Sequence, residues 1–246
     1  MQGGFCPEIN KKGGNDPEDV KKTCEEFGLV PLSAHVPYLD LIEDPEGTVA
    51  CYKKAGCQQI VIPYLTEEYR PGAEKFEETI ADMTKLGEIA NKYGMTLLYH
   101  NHDFEFVKVD GEYGLDIIYN RIPANLLQTE VDTCWVNIGG ENPAEYVKKY
   151  TGRAPVVHLK DFYLSGKRPD RLYALIGLDE DEEQEEASTF EFRPVGHGMQ
   201  DMPAILDAAV AAGAGWVVVE QDEPSMGLSR MESIKASREY LKSLGW

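Results

Sequence analysis

The stretch Gly94-Met95-Thr96-Leu97-Leu98-Tyr99-His100-Asn101-His102-Asp103-Phe104-Glu105-Phe106 sets the reading of the whole 246-residue chain. Thr96 to Tyr99 is a short, mostly apolar run with a β-branched and an aromatic residue. It follows a glycine that closes an amphipathic segment, so it reads as a central parallel strand. Two histidines and two carboxylates come immediately after. They sit at the carboxyl end of the strand, where α/β proteins place ligands. Ionisable groups crowded there are costly unless they coordinate something or move protons.

Upstream, residues 71–93 form a long amphipathic helix with Phe76, Ile80, Met83, Leu86, Ile89 and Ala90 on one face, capped by Gly94. Before it come a strand over 59–63, a helix over 45–56, a strand over 29–36 with His35 near its end, and a helix from Pro17 stopped by Gly28. Downstream, a polar stretch around Val109-Asp110-Gly111 leads to a helix over 114–121. A strand over 126–131 then ends at Asp132, a helix covers 143–150, and a strand over 154–159 runs into Lys160-Asp161. Residues 163–190 break the pattern with an acidic loop insertion, including the run 179–186, which reads as a solvated loop. Gly196-His197-Gly198 is a turn, 201–212 a helix, 216–219 a strand ending at Glu220, and 229–243 the last helix.

Strict alternation of strands and helices predicts a parallel sheet with helices outside it. Polar strand-end residues recur at roughly the spacing of one β/α unit. His, His, Asp, His and Glu at the ends of several strands favour a (β/α)8 barrel over a doubly wound sheet, because a closed barrel brings strand ends to one centre. The length suits one domain over residues 1–246, with 1–14 as loop.

Lys+Arg 24 against Asp+Glu 43 gives a net charge of −19, which opposes nucleic acid and anionic membranes and favours small polar substrates or a divalent cation. The five cysteines are odd in number and form no CxxC pair, so they predict packing residues in a reducing cytoplasm rather than disulfides or a zinc finger. There is no charged N-terminal region followed by an apolar run, and no long apolar run elsewhere.

Glu105, Asp132, His158 and Glu220 combine hard oxygen donors with one imidazole, a set suited to Mn2+, Mg2+ or Co2+, with Zn2+ also within range. Such a cation would hold two vicinal oxygens of a sugar and acidify the hydrogen next to a carbonyl. Two carboxylates could then take and return the proton. Each residue also has a structural explanation: a strand-end Asp or His often caps a turn or helix. His100 and His102 share a face only if the strand continues. Lys160 has the alternative of pairing with Asp161 on the surface, and His197 that of orienting its Gly-flanked turn.

The segments Tyr99 to Phe106, Glu130-Val131-Asp132-Thr133-Cys134-Trp135, Val157-His158-Leu159-Lys160-Asp161, Val195-Gly196-His197-Gly198 and Val219-Glu220-Gln221-Asp222 resemble the sugar phosphate isomerase/epimerase family of xylose-isomerase-like TIM barrels. The resemblance implies a divalent metal, Mn2+ by preference, on Glu105, Asp132, His158 and Glu220, with Glu105 and Glu220 doubling as acid/base groups. In many relatives the first ligand is a Glu at the position occupied here by His100, so either Glu105 reaches back or His100 replaces it. His102 and Lys160 would contact substrate oxygens and serve catalysis, with His35, His100 and His197 as further substrate contacts. His197 departs from the Glu usual in that turn. The implied reaction is isomerisation or epimerisation of a sugar or sugar phosphate through an enediolate. The alternatives are elimination on a keto-sugar or 3-keto-glycoside, or a non-catalytic sugar-binding subunit.

Family members begin with a strand, a helix and a second strand ahead of the segment corresponding to residues 15–28. Only a Gly-rich remnant around Gly3-Gly4-Phe5-Cys6 precedes that segment here. The expectation is a TIM (β/α)8-type barrel lacking its first one to two strands, with an unpaired edge on the 29–36 strand. A homodimer or partner subunit would cover that open edge.

Overall fold

A computed structural model describes the backbone of residues 3–5 and the whole of residues 16–166 and 189–246. The chain divides into two compact units, one comprising Met1–His100 and Lys108–Glu130, the other Asn101–Val107 and Val131–Trp246.

The first unit starts with β1 (Gly3–Phe5), α1 (Pro17–Glu26), β2 (Leu29–Pro31) and β3 (Ser33–His35). It continues through α2 (Tyr38–Glu43), α3 (Pro45–Lys54), β4 (Gln59–Ile62), α4 (Phe76–Lys92) and β5 (Thr96–His100). Asp16 caps α1 by accepting the Glu18 N–H, and Pro17 at the first helical position gives up a donor that has no partner there. β3, β4 and β5 pair in parallel, and β8 (Gln128–Asp132) adds to β5 with His100 opposite Glu130. All four residues of β4 are buried, which is why Ile60-Val61-Ile62 run apolar instead of alternating. Met83 and Leu86 of α4 are buried, and the helix closes at Gly94, whose φ of +65° suits the turn back into β5.

Between β5 and β8 lie β6 (Lys108–Val109), β7 (Glu112–Tyr113) and α5 (Gly114–Arg121). The polar stretch at 109–111 is a hairpin: Asp110 at φ 51° and Gly111 at φ 89° form a two-residue turn of the kind whose twist matches antiparallel strands.

The predicted single strand over 29–36 is corrected. Pro31 ends β2, and the carbonyl of Leu32 accepts the Gln58 and Gln59 N–H groups before β3 begins. β2 has a partner as well: β1 lies parallel to it, Gly3 opposite Leu29 and Phe5 opposite Pro31. A ladder uses main-chain groups, which glycine has, so weak strand propensity at Gly3-Gly4 did not prevent pairing.

The second unit opens with Asn101–Val107, including a 3-10 turn at Phe104–Phe106. After Val131 and Asp132 it runs through α6 (Thr133–Ile138), α7 (Pro143–Lys149), β9 (Val156–Leu159), β10 (Asp161–Ser165), β11 (Thr189–Arg193), α8 (Met202–Ala212), β12 (Trp216–Val219) and α9 (Arg230–Ser243). β9 and β12 pair in parallel, Val156 opposite Trp216. The loop predicted over 163–190 is corrected at both ends, where β10 and β11 form an antiparallel ladder. The acidic run 179–186 lies outside the described residues. Cys134, Trp135, Ile138, Phe162 and Phe192 pack into one buried cluster, so Cys134 is a packing residue. No helix among the described residues is long and apolar enough to cross a membrane.

Candidate functional site

In the second unit, the ligand atoms of Asp132, His158 and Glu220 lie within 4.8 Å of one another. Local folding explains each placement. Asp132 ends β8 and caps α6, its Oδ1 accepting the Cys134 and Trp135 N–H groups at 2.8 and 3.1 Å. That fixes the carboxylate and leaves Oδ2 4.0 Å from Lys160 Nζ. His158 is the third residue of β9, and its carbonyl accepts the Thr133 hydroxyl at 2.8 Å. Glu220 follows β12 directly and meets His158 Nδ1 through Oε2 at 2.8 Å.

Lys160 is the cation of this cluster. Its Nζ lies 2.8 Å from Asp222, 3.7 Å from Glu220 and 4.0 Å from Asp132, between the rings of Trp135 and Phe192 at 5.2 and 4.9 Å. Burial favours the neutral amine, but Glu220, Asp132 and Asp222 outweigh it and hold the ammonium above the ordinary lysine range. Burial likewise pushes the Asp132 carboxyl up, to about 7, against the opposing pull of Lys160. The surface pairing of Lys160 with Asp161 considered from sequence is therefore corrected. Asp161 is occupied by four main-chain N–H groups, from Phe162, Gly196, Gly198 and Gln200.

Three carboxylates around one ammonium leave two formal negative charges, the complement of a divalent cation. The donor set of two carboxylates and an imidazole fits such an ion. Glu105, expected as a further ligand, belongs to none of the converging groups among the described residues. It is fully buried and turns back on its own segment, Oε2 accepting the His102 N–H at 2.8 Å. β5 ends at His100, so the alternation that would have put His100 and His102 on one face lapses. His102 stacks on Phe104 at 5.4 Å and lies 5.4 Å from Trp135. Asn101 is tied to Asp132 reciprocally, donating to its carbonyl and accepting its N–H. His197 stands exposed in its turn.

The first unit carries its own cluster. His35 Nε2 lies 2.5 Å from Glu130 Oε2, and His100 Nδ1 lies 3.4 Å from the same oxygen. The two imidazole centroids are 5.1 Å apart. The Glu130 carboxylate is fully buried. Sequence reasoning passed over Glu130, although its spacing of two from Asp132 puts both on one face of the strand. Asp222 and Gln200 were also missed. Asp222 repeats the same spacing from Glu220, whereas nothing local marks Gln200.

This alternating chain, with carboxylates and an imidazole at its strand ends, belongs to the xylose isomerase-like TIM barrel family, whose model matches residues 7–244. An inosose dehydratase from Clostridium botulinum (strain Alaska E43 / Type E3) is 27% identical over 188 residues, 75% of this chain and 59% of the relative. The chain thus spans about three fifths of that relative's length. Among solved structures, a sugar phosphate isomerase/epimerase from Parabacteroides distasonis ATCC 8503 superposes with a TM-score of 0.75 at 20% identity, covering 95% of this chain and 78% of that one. The IOLI protein with a bound zinc atom superposes with a TM-score of 0.67 at 19% identity, covering 96% and 86%. At these identities the superpositions establish a shared fold.

Proposed function

We propose that the chain is a divalent-metal-dependent sugar isomerase or epimerase that moves a proton next to a carbonyl through an enediolate. The observation that carries this reading is the convergence of Asp132, His158 and Glu220 beside a buried ammonium. A cation held by these three residues supplies Lewis acidity toward vicinal sugar oxygens. Glu220, with its side chain 28% exposed, is the proton carrier that solvent and substrate reach. Lys160 stays charged and so serves as hydrogen-bond donor to the oxygen on which negative charge grows. His102 and Trp135 form an aromatic wall beside it. Mn2+ is the preferred ion, and the zinc-bound neighbour supports Zn2+ as a competitor.

The second reading is dehydration of a keto-polyol, supported by the similarity to inosose dehydratases. It uses the same proton abstraction and then expels a hydroxyl, to which the Lys160 ammonium donates a hydrogen bond as it leaves. One experiment separates the two: the metal-loaded protein is incubated in D2O with ketoses and inososes, and products are read by mass spectrometry. Isomerisation or epimerisation conserves composition and introduces solvent deuterium at the altered carbon, whereas dehydration loses one water. A product with unchanged mass and no solvent deuterium, once an intramolecular shift is excluded, rules out the proton-transfer reading.

A further inference from the structure

Three carboxylates surround the Lys160 ammonium, and they do not hold it equally. Asp222 lies within hydrogen-bonding distance of Nζ at 2.8 Å, whereas Glu220 at 3.7 Å and Asp132 at 4.0 Å lie beyond it. The two more distant carboxylates are the proposed metal ligands. The bonded one is not a proposed ligand, and it stands nearest to solvent, 37% exposed against 28% for Glu220 and 0% for Asp132.

Both partners of this bond are held in place. The Trp135 and Phe192 rings flank the ammonium, and aromatic faces attract a cation. The segment that carries Asp222 is tied down at both ends: the Glu220 N–H donates to the Leu159 carbonyl at 3.3 Å, and the Ser225 hydroxyl donates to the Phe192 carbonyl at 2.5 Å. Between them the Gln221 side chain donates to the Glu223 carbonyl at 2.9 Å. One short segment thus presents Glu220 to His158 and Asp222 to Lys160.

A divalent cation on Asp132, His158 and Glu220 repels an ammonium this close and needs the same oxygens that attract it. Lys160 then requires a counter-charge that the cation does not take. We propose that Asp222 is a positioning residue: it draws the Lys160 ammonium away from Asp132 and Glu220, so that lysine and metal occupy the site together. The inference rests on the metal-site reading above and assigns a role to a carboxylate outside the ligand set. An ammonium has three donors, so one bond to Asp222 leaves others for a substrate oxygen. Without Asp222 the ammonium falls back on Asp132 and Glu220 and competes with the cation for them.

A double-mutant cycle read by calorimetric titration of Mn2+ into chelator-treated protein tests it. Asp222→Asn should weaken Mn2+ binding at least about tenfold when Lys160 is present. In the Lys160→Met background the same substitution should cost less than about threefold, because the competing ammonium is gone. Unchanged affinity in Asp222→Asn overturns the proposal. An equal loss in both backgrounds also overturns it, since a purely structural role for Asp222, or a simple loss of negative charge, gives that result. If Lys160→Met does not fold, crystal structures of the native protein and Asp222→Asn soaked in Mn2+ decide. Lys160 Nζ should stay beside Asp222 in the native protein and leave that place in the variant; an ammonium in the same place in both overturns the role. Native protein that takes up no Mn2+ overturns the proposed function and this role with it. Native uptake that does not depend on Asp222 overturns this role alone.

Discussion

Lys160 and Asp222 form an ion pair of 2.8 Å in which the lysine side chain is 2% exposed and the carboxylate stands at the solvent edge. The ammonium is thereby anchored from outside while its inner flank faces Asp132 and Glu220.

Replacing Lys160 by Met should keep the shape and leave the buried Asp132 carboxylate without its counter-charge. The expected loss is about 3–5 kcal/mol in metal-free protein. Urea denaturation with and without Mn2+ checks it, because an added cation should restore part of the loss. A loss below about 1 kcal/mol would show that the ammonium does not balance this cluster.

Asp132→Ala and His158→Ala should abolish tight divalent-metal binding. Glu220→Gln should retain part of it, since an amide oxygen coordinates, yet lose turnover, since it carries no proton. Elemental analysis after dialysis against a chelator, followed by calorimetric titration with Mn2+ and Zn2+, measures the binding. Undiminished metal in His158→Ala would move the site elsewhere.

Gly87 lies inside α4, where alanine normally adds about 1 kcal/mol of helix stability. Here a Cβ would run into the Leu126 carbonyl oxygen, a main-chain atom with little freedom to retreat. Overpacking of that kind costs about 1–3 kcal/mol, so Gly87→Ala should be net destabilising, read from the denaturation midpoint. A stabilised variant would mean that the helix and the Leu126 segment can separate.

Asn101→Ala should cost about 1–3 kcal/mol by removing the partner of both main-chain groups of Asp132. Because Asp132 is also a proposed ligand, metal affinity should fall together with stability. A stability change with unaltered affinity would separate the two roles.

Much of this molecule is legible in sequence where a local rule holds. The apolar run at β4, the Asp16-Pro17 helix start and the glycine after α4 each follow from one interaction, and each lies within about two residues of its expected place. The convergence of Asp132, His158 and Glu220 was legible because each stands at or next to the carboxyl end of a strand. Glu105 lies outside the converging groups because the 3-10 turn at Phe104–Phe106 folds its carboxylate onto the His102 N–H, a detail of backbone path that spacing does not encode. Lys160 was ambiguous because its partners stand 28 and more residues away in sequence. The expectation of a dimer rested on an unpaired 29–36 strand, and with β1 lying on Leu29–Pro31 that part of its basis is gone.

The β10–β11 ladder, with Ser165 opposite Thr189, holds two stretches well separated in sequence side by side within the second unit. Pairing Ser165 with Thr189 costs a closure entropy that depends on the number of residues between them. Doubling that number adds only about 0.6 kcal/mol of closure entropy. Evolutionary growth and shrinkage between Ser165 and Thr189 is therefore nearly free for the residues at the ends of β9 and β12.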